Sequence, residues 1–217
     1  MGDRSAILIG ATGLVGDRCL RRLLDDPAYG RVSVFARGPA PREHTKLDWR
    51  RVAMDAPTPL QADAFICCLG TTIKKAGGRE EFRRVDLELP LGWARAARDS
   101  GARHALLVSS VGAQIGSTNF YLATKGEIER AFSDLRFEAL DIFRPSLLLG
   151  KRGETRWGER LAEPFAKTAA PLLVGSLRRY RPVEADAVAA ALVAAGRLAR
   201  PGRRVHEYDG IRRLSAL

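Results

Sequence analysis

The feature that most constrains the fold is a glycine-rich turn between an apolar strand and an amphipathic helix. The apolar run at residues 6–9 predicts a strand, and apolar residues at helical spacing from Leu14 onward predict a helix. Glycines stand at every third position between them, at Gly10, Gly13 and Gly16. One glycine permits a tight turn, another allows a close backbone approach, and the last allows the helix to pack against the strand. The chain therefore opens with a strand–turn–helix unit of the kind that begins many α/β folds.

Strands and helices continue to alternate along the chain. Further strands are predicted at residues 32–35, 51–54, 64–69, 105–108, 139–143 and 204–208, and helices at 80–100, 119–132, 159–168 and 184–198. This alternation predicts a Rossmann-like, doubly wound parallel sheet of about six to seven strands. The 217 residues show no internal repeat or linker, so we expect one domain over 1–217. Within it, 1–150 would form the Rossmann core and 151–217 a small C-terminal substrate-binding portion with a closing helix and strand.

The formal net charge of +11 is typical of proteins that bind nucleic acid or anionic membranes. The arginines, however, are spread along the whole chain without a dense run, and neither a nucleic-acid-binding motif nor a set of stacking aromatic residues is recognisable. We therefore expect no nucleic-acid partner. A basic surface also suits a small ligand that carries phosphate.

Three cysteines are too few and too badly spaced for a disulfide framework, which indicates a reducing, cytoplasmic location. The sequence begins without a signal-peptide pattern, and no stretch approaches the ~18 apolar residues of a membrane-spanning helix. No membrane association is expected. The three histidines lie far apart, with no cysteine or carboxylate at ligand spacing, so no metal site is predicted.

The glycine turn predicts a dinucleotide site, because the amide groups and the dipole of the following helix favour a pyrophosphate. A site selective for NAD places an acid at the end of the second strand, whereas this chain has Arg37 there. A guanidinium binds a 2′-phosphate through charge-assisted hydrogen bonds, so NADP(H) is expected and NAD(H) is the alternative. Asp55, Leu69 and Gly70 follow the third and fourth strands and would line the adenosine half of the crevice.

Tyr121 and Lys125 lie four residues apart at the start of a predicted helix and so share one face. A phenol is a poor acid or base at neutral pH, but a neighbouring ammonium group favours the phenolate and makes proton transfer possible. Ser109 and Ser110 end the fifth strand and should face the same crevice. Either serine could hold a substrate carbonyl while the tyrosine moves the proton and the nicotinamide exchanges hydride.

Taken together, these motifs resemble the short-chain dehydrogenase/reductase superfamily in its atypical branch. The stretches "CCLGTTIKKAG", "VSSVGA", "FYLATKGEIE" and "FRPSLLLG" are more closely similar to the oxidoreductase-like HIV Tat-interacting protein group and its bacterial relatives. The resemblance implies a Ser110, Tyr121, Lys125 catalytic set, with Ser109 as the alternative serine. It also implies cofactor contacts by Gly10, Thr12, Gly13, Leu14, Val15, Gly16, Arg37, Tyr121, Lys125 and Pro145.

The chain departs from the superfamily pattern at one catalytic position. Many members add a catalytic asparagine on the helix before the fifth strand, but the only asparagine here is Asn119, which we interpret as a helix cap. That proton-relay residue is therefore missing or replaced by water. The short segment after Gly150 also favours small substrates over bulky nucleotide sugars.

The resemblance and the intact Ser–Tyr–Lys set imply an NADP-dependent oxidoreductase that reduces a small carbonyl compound, as a monomer or homodimer. A cofactor-binding regulatory or redox-sensing protein is the alternative, since such a protein needs only the glycine turn. An epimerase or dehydratase would require a larger C-terminal domain.

Overall fold

The computed structural model describes residues 2–150 and 173–217. Its strands are β1 (Arg4–Ile9), β2 (Tyr29–Ala36), β3 (Leu47–Arg51), β4 (Ala64–Cys67), β5 (His104–Val108), β6 (Ala139–Phe143), β7 (Leu148–Leu149), β8 (Val183–Glu184) and β9 (Gly202–His206). Its α-helices are α1 (Leu14–Asp25), α2 (Ile73–Ala76), α3 (Arg79–Arg83), α4 (Leu89–Asp99), α5 (Phe120–Asp134), α6 (Ala185–Leu198) and α7 (Tyr208–Leu214). A π-helical turn, Arg84–Glu88, joins α3 to α4, and a 3-10 helix spans Gly175–Tyr180.

Within the described ranges, seven strands pair in the order β3-β2-β1-β4-β5-β6-β9, and every pairing is parallel. The short strands β7 and β8 form a separate pair. The order reverses direction between β1 and β4, which is the topological switch point at which doubly wound sheets bind their ligands. The predicted Rossmann-like parallel sheet is confirmed.

Helices cover both faces of the sheet, and each face has its own apolar core. Ala6 and Leu8 of β1 belong to the core beneath α1 and α6, whereas Ile7 and Ile9 belong to the core beneath α4 and α5. This assignment follows from the strand geometry, because successive side chains of a strand point to opposite faces. The central strands are therefore apolar on both sides, as a sheet buried by two helical layers requires.

The third strand and the last strand lie away from the predicted positions. β3 spans Leu47–Arg51 rather than residues 51–54, since it is an edge strand whose position is fixed by backbone pairing with β2 and not by apolar content. β9 begins two residues earlier than expected, and α7 follows it at Tyr208–Leu214. The helix predicted at 159–168 lies outside the described residues.

The long helix predicted at 80–100 is divided into α3, the π-turn and α4. Pro90 explains the division, because it has no N–H to donate to the Asp86 carbonyl four residues earlier. The wider π-turn accommodates this loss and turns Asp86 into the interior, where it is 1% exposed. A π-turn inside an α-helix frequently accompanies a functional site.

The described C-terminal residues complete the Rossmann sheet, since β9 is its seventh strand and α6 packs against α1. The assignment of 151–217 to a substrate-binding portion of a single domain stays a prediction. Among the described helices, none is long and apolar enough to cross a bilayer.

A polar cluster lies under α6 at the β5, β6 and β9 side of the sheet. The buried Asp141 carboxylate accepts hydrogen bonds from His104 Nε2 at 2.8 Å, His206 Nε2 at 2.6 Å and the Arg204 guanidinium at 3.0 Å. Burial alone would raise the pKa of Asp141, but the hydrogen bonds from both histidines and Arg204 lower it well below its usual range. One carboxylate thus joins three adjacent strands.

Gly196 of α6 allows the helix to pack against Tyr29 at the start of β2. A Cβ atom at Gly196 would lie 2.4 Å from Tyr29 Oη, and the next nearest atom, Tyr29 Cζ, would be 3.7 Å away. The phenol is buried, and its oxygen has no hydrogen-bond partner within the described residues. The clash that excludes a side chain at Gly196 therefore comes from a single oxygen atom.

Removing the Tyr29 oxygen should reverse the sign of the change in folding stability that Gly196→Ala causes. In the unmodified protein, we expect Gly196→Ala to lower the free energy of unfolding by about 1–3 kcal/mol through overpacking. In a Tyr29→Phe background the same change should stabilise by up to about 1 kcal/mol, because alanine favours a helix over glycine and the new contact is ordinary. Urea unfolding of the four proteins measures both values, and an equal cost in both backgrounds would contradict the packing described.

Candidate active site

The glycine turn brings the β1–α1 connection directly against the end of β4. Gly10 has a φ of +79°, and a Cβ atom there would lie 2.5 Å from the Cys68 carbonyl carbon. A Cβ atom at Gly16 would lie 2.0 Å from the Gly10 oxygen, while Gly13 N–H donates to that oxygen at 2.9 Å. Side chains are therefore excluded where the predicted turn needs a close backbone approach.

The predicted pyrophosphate contacts lie at the N-terminus of α1. Gly13 is the N-cap and provides no capping side chain, so the first amide groups of the helix are not satisfied by a cap. Thr12 is exposed, Leu14 is half-buried, and Val15 and Gly16 are buried. The backbone at this end of the helix fits a dinucleotide pyrophosphate.

Asp17, in the first turn of α1, could repel an anionic ligand, but two arginines neutralise its charge. Asp17 pairs with Arg42 at 2.7 Å and with Arg21 at 3.0 Å. The carboxylate charge is therefore locally balanced. The helix dipole then remains favourable to phosphate at the turn.

Arg37 and Asp55 lie beyond the carboxyl ends of β2 and β3, and both are exposed. The Arg37 carbonyl accepts a hydrogen bond from Arg51 Nε at 3.1 Å. A hydrogen bond from Arg84 lowers the pKa of Glu81, and the charge of Arg37 contributes to this lowering. Arg37 therefore lies at the outer rim of the crevice, on the side where the sequence predicts a 2′-phosphate.

Leu69 and Gly70 follow β4 and carry the chain past the crevice. Leu69 is half-buried, and a Cβ atom at Gly70 would lie 3.3 Å from Asp86 Oδ1 and 3.7 Å from Lys125 Nζ. The next amide, Thr71 N–H, donates to Asp86 Oδ2 at 2.8 Å. The structure thus brings the predicted β4 loop and the predicted catalytic lysine together, through Asp86.

Lys125 is held in the interior by an ion pair. Its Nζ lies 2.6 Å from Asp86 Oδ1, and the two side chains are 7% and 0% exposed. Burial alone would lower the pKa of Lys125, but the Asp86 carboxylate, together with smaller effects of Tyr121 and Cys67, outweighs burial and the net pKa is raised. The side chain therefore presents an ammonium ion at neutral pH.

Tyr121 lies beside this ammonium ion, as its spacing on the helix predicts. Lys125 Nζ is 5.9 Å from the centre of the Tyr121 ring, and the half-buried ring packs on Phe82 of α3 at 5.7 Å between centroids. Asn119 caps the helix, accepting a hydrogen bond from Leu122 N–H at 3.1 Å. The interpretation of Asn119 as a cap is confirmed.

Asp86 is the residue of this site that sequence reasoning missed. A carboxylate in a helix is usually solvated, and nothing in the sequence pattern around Asp86 indicates a buried position. The available signal was indirect: Pro90 four residues later marks a break in the helix. The π-turn that results is what brings the carboxylate to Lys125.

The two candidate serines have different surroundings. Ser109 is 5% exposed, and its hydroxyl donates to Glu129 Oε1 of α5 at 2.6 Å. The Arg144 guanidinium binds the same carboxylate through two contacts of 2.9 Å and 2.6 Å. Ser109 thus belongs to a buried polar network between β5, β6 and α5.

Ser110 is half-buried, and within the part of the chain that the structure describes its hydroxyl makes one long contact, 3.4 Å to the Val111 carbonyl. The buried Pro145 holds this segment, because its carbonyl accepts from Val111 N–H at 3.0 Å. Gly126 allows the following loop to lie on α5, since a Cβ atom there would be 2.4 Å from the Gln114 carbonyl carbon. The loop carrying Ser110 is therefore fixed against both β6 and α5.

A separate cavity of about 570 Å³ lies along α5. Its walls include Glu129, Arg130, Arg144 and Arg203, but neither Tyr121 nor Lys125 nor any residue of the glycine turn. The cavity is thus distinct from the crevice in which the predicted cofactor contacts lie. Among the described residues, no group of three or more acid, histidine or cysteine side chains could hold a metal ion.

Two groups of curated proteins are similar to the chain over most of their length. It is 35% identical over 173 residues to rat (Rattus norvegicus) "Protein HTATIP2", covering 76% of this chain and 71% of the relative. It is 39% identical over 203 residues to "Protein fmp52, mitochondrial" of Aspergillus fumigatus, covering 87% and 85%. No family profile matches the chain.

Solved structures share the fold at low sequence identity. A UDP-N-acetylglucosamine 4-epimerase from Methanobrevibacter ruminantium superposes with a TM-score of 0.68 at 12% identity, covering 95% of this chain and 77% of the epimerase. The human epimerase family protein SDR39U1, solved with NADPH, superposes with a TM-score of 0.63 at 18% identity, covering 94% and 74%. Both likenesses support the Rossmann-like architecture.

The different surroundings of the two serines predict different effects on stability. Ser109→Ala removes a buried hydrogen bond to a carboxylate and should lower the free energy of unfolding by about 1.5–3 kcal/mol. Ser110→Ala removes one long contact and should change it by less than about 0.5 kcal/mol. Urea unfolding of the two adjacent variants makes the comparison, and an equal or larger cost for Ser110→Ala would contradict the assignment of the buried network to Ser109.

Proposed function

The chain belongs to the HTATIP2 and FMP52 family of the short-chain dehydrogenase/reductase superfamily, and from this membership we propose that it binds NADP(H) and reduces a small carbonyl compound. The glycine turn, the strand ends and the buried lysine would together form the cofactor site. The substrate would occupy the crevice beside Tyr121 and Ser110. The partner of the protein is then a small molecule.

The observation that carries this proposal is the ammonium ion beside Tyr121. Lys125 is almost completely buried, yet it is held in its charged form 5.9 Å from the tyrosine ring. A positive charge in a site with little water acts more strongly on a neighbouring phenol than one on the surface. This arrangement suits a tyrosine that donates a proton.

Each residue of the set has a distinct chemical role in the proposal. Ser110 would donate a hydrogen bond to the substrate carbonyl oxygen, and Tyr121 would give that oxygen its proton. Lys125 would stabilise the phenolate that the proton leaves behind and bind the nicotinamide ribose. The nicotinamide, when bound, supplies the hydride that reduces the carbonyl carbon.

Arg37 supports NADP(H) rather than NAD(H). It is exposed at the end of β2, where a 2′-phosphate would lie, and no acid occupies that position. Arg84 already makes two hydrogen bonds to Glu81, at 2.8 Å and 2.9 Å. Glu81, the carboxylate on which the Arg37 charge acts, therefore has a cation of its own, which leaves the Arg37 charge available to a phosphate.

Two other functions fit parts of the site. A regulatory or redox-sensing protein of this fold would bind the cofactor with little turnover, and an epimerase or dehydratase would use the same tyrosine on a larger substrate. The FMP52 relatives are named as mitochondrial proteins, so the cytoplasmic location stays a prediction. The monomeric or homodimeric state is equally a prediction.

Cofactor preference is measured by titrating the purified protein with NADPH and with NADH and following fluorescence. We expect tighter binding of NADPH, and we expect Arg37→Ala to weaken it by about 10- to 100-fold while leaving NADH binding nearly unchanged, because only NADPH carries the 2′-phosphate.

Arg103→Ala is the matched control for loss of a positive charge. Arg103 is exposed and directly precedes β5, at the opposite edge of the sheet from the crevice. Arg103→Ala should leave the affinities for NADPH and for NADH unchanged. Equal affinity of the unmodified protein for NADPH and NADH would refute the NADP assignment.

Turnover is measured by screening small ketones and aldehydes and following the loss of NADPH absorbance. We expect at least one substrate to be reduced, and we expect Tyr121→Phe to lower its kcat by at least about 100-fold, because the ring remains but the transferable proton is lost.

Tyr29→Phe provides the control, since this buried tyrosine lies at the start of β2, away from the crevice. Turnover that survives Tyr121→Phe would exclude this residue as proton donor. Tight NADPH binding without reduction of any carbonyl compound would support the regulatory function instead.

A further inference from the structure

We propose that Asp86 is a positioning residue of the nicotinamide half of the cofactor site: its carboxylate holds the Lys125 ammonium ion toward Tyr121 and ties it to the Gly70–Thr71 loop. This inference rests on the proposed cofactor binding. It assigns a role to a residue that no motif of the sequence indicates.

The geometry joins three separate elements at one carboxylate. Asp86 comes from the π-turn, and its Oδ1 lies 2.6 Å from Lys125 Nζ of α5. Its Oδ2 accepts from Thr71 N–H, at 2.8 Å, in the loop that follows β4. A cofactor lying along Gly70 would therefore contact a loop whose position depends on the same side chain that places the lysine.

Gly70 shows how closely these groups approach. A side chain at this position would begin 3.3 Å from Asp86 Oδ1 and 3.7 Å from Lys125 Nζ. Gly70 itself is exposed, while the ion pair behind it is buried. The pair thus lies directly beneath the surface along which the cofactor would run.

Asp86 is the negative charge that keeps Lys125 protonated. The groups facing the ammonium ion are Asp86 from the π-turn, the Tyr121 phenol from α5 and the Cys67 thiol from β4. Burial raises the pKa of Cys67 to about 12, so this thiol is neutral at physiological pH. Without the carboxylate, burial, the largest influence on the Lys125 pKa, would favour the neutral amine against the smaller effects of Tyr121 and Cys67.

Folding stability alone explains this ion pair poorly. The cost of removing two charges from water largely cancels their attraction, and apolar residues of similar volume commonly stabilise a protein as well or better. The effect of the carboxylate on the charge and position of Lys125 therefore explains its presence better than a contribution to folding.

The test compares Asp86→Asn with Glu88→Gln in protein labelled with [13Cε]lysine. Glu88 is a matched control, because it lies in the same π-turn but is exposed. The chain has six lysines, so the Lys125 resonance is assigned by its absence in Lys125→Met. Titration of this resonance gives the pKa of Lys125 directly, and NADPH affinity is measured on the same samples.

We expect Asp86→Asn to lower the pKa of Lys125 by about two units or more and to weaken NADPH binding by about tenfold, whereas Glu88→Gln changes neither. An unchanged Lys125 titration would overturn the proposal. So would a lowered pKa with unchanged NADPH affinity, because the ion pair would then be only structural. If the unmodified protein fails to bind NADPH, the proposed function itself fails, whatever the titration shows.

Thermal unfolding keeps the test decisive if a variant is unstable. Lys125→Met should lower the midpoint by several degrees, because it leaves a buried carboxylate without its cation, and adding Asp86→Asn should restore much of the loss. Additive losses in the double variant would show that the two side chains do not act as a pair and would overturn the proposal.

Discussion

The site depends on a positive charge that is kept inside the protein by a negative charge buried with it. An ammonium ion without a partner would lose its proton in the interior, and a carboxylate without a partner would gain one. Lys125 and Asp86 are buried as a pair, with Lys125 Nζ 2.6 Å from Asp86 Oδ1, so neither charge lies in the interior without a partner. The pair in turn fixes α5, the π-turn and the loop after β4 relative to each other. The positions of Tyr121 and of the predicted cofactor surface at Gly70 follow from this arrangement.

The two halves of the sheet are assembled by different means. Around β1 and β4, the backbone of the glycine turn packs directly against neighbouring backbone, and Gly10 and Gly16 make this close approach possible. Beyond β4, buried carboxylates join neighbouring elements: Glu129 joins the ends of β5 and β6 to α5, and Asp141 joins β5, β6 and β9. Each carboxylate is satisfied by arginine, histidine or serine side chains from other elements, as burial of a charge requires. The β1 and β4 side of the sheet is thus joined by close backbone contacts, and the side beyond β4 by buried charged groups.

The sequence predicts the fold well because its strongest signals are local. Apolar runs and glycine spacing indicate the strands, the turn and the order of elements, and the tyrosine–lysine spacing indicates a shared helix face. The predicted position of β3 was wrong because the position of an edge strand is determined by its backbone pairing with the neighbouring strand and not by its own composition. Asp86 was missed because its burial depends on a π-turn and on contact with a distant helix. The choice between Ser109 and Ser110 stayed open for a similar reason: adjacent residues project to opposite sides of an extended segment, and only tertiary contacts show that Glu129 engages Ser109.

These contacts also bear on whether the protein is an enzyme or a cofactor-binding regulator. Binding a dinucleotide requires a helix N-terminus free of side chains and a suitable group at the end of β2, both of which lie on the glycine side of the crevice. It does not require a lysine desolvated beside a tyrosine, since a surface lysine could contact a ribose hydroxyl at much lower cost. In the proposed reaction, the desolvated ion pair would act on Tyr121, the group that changes its protonation state when the carbonyl is reduced. A purely regulatory site would bear the cost of burying two charges without using their effect, so the buried pair favours the oxidoreductase over the regulator.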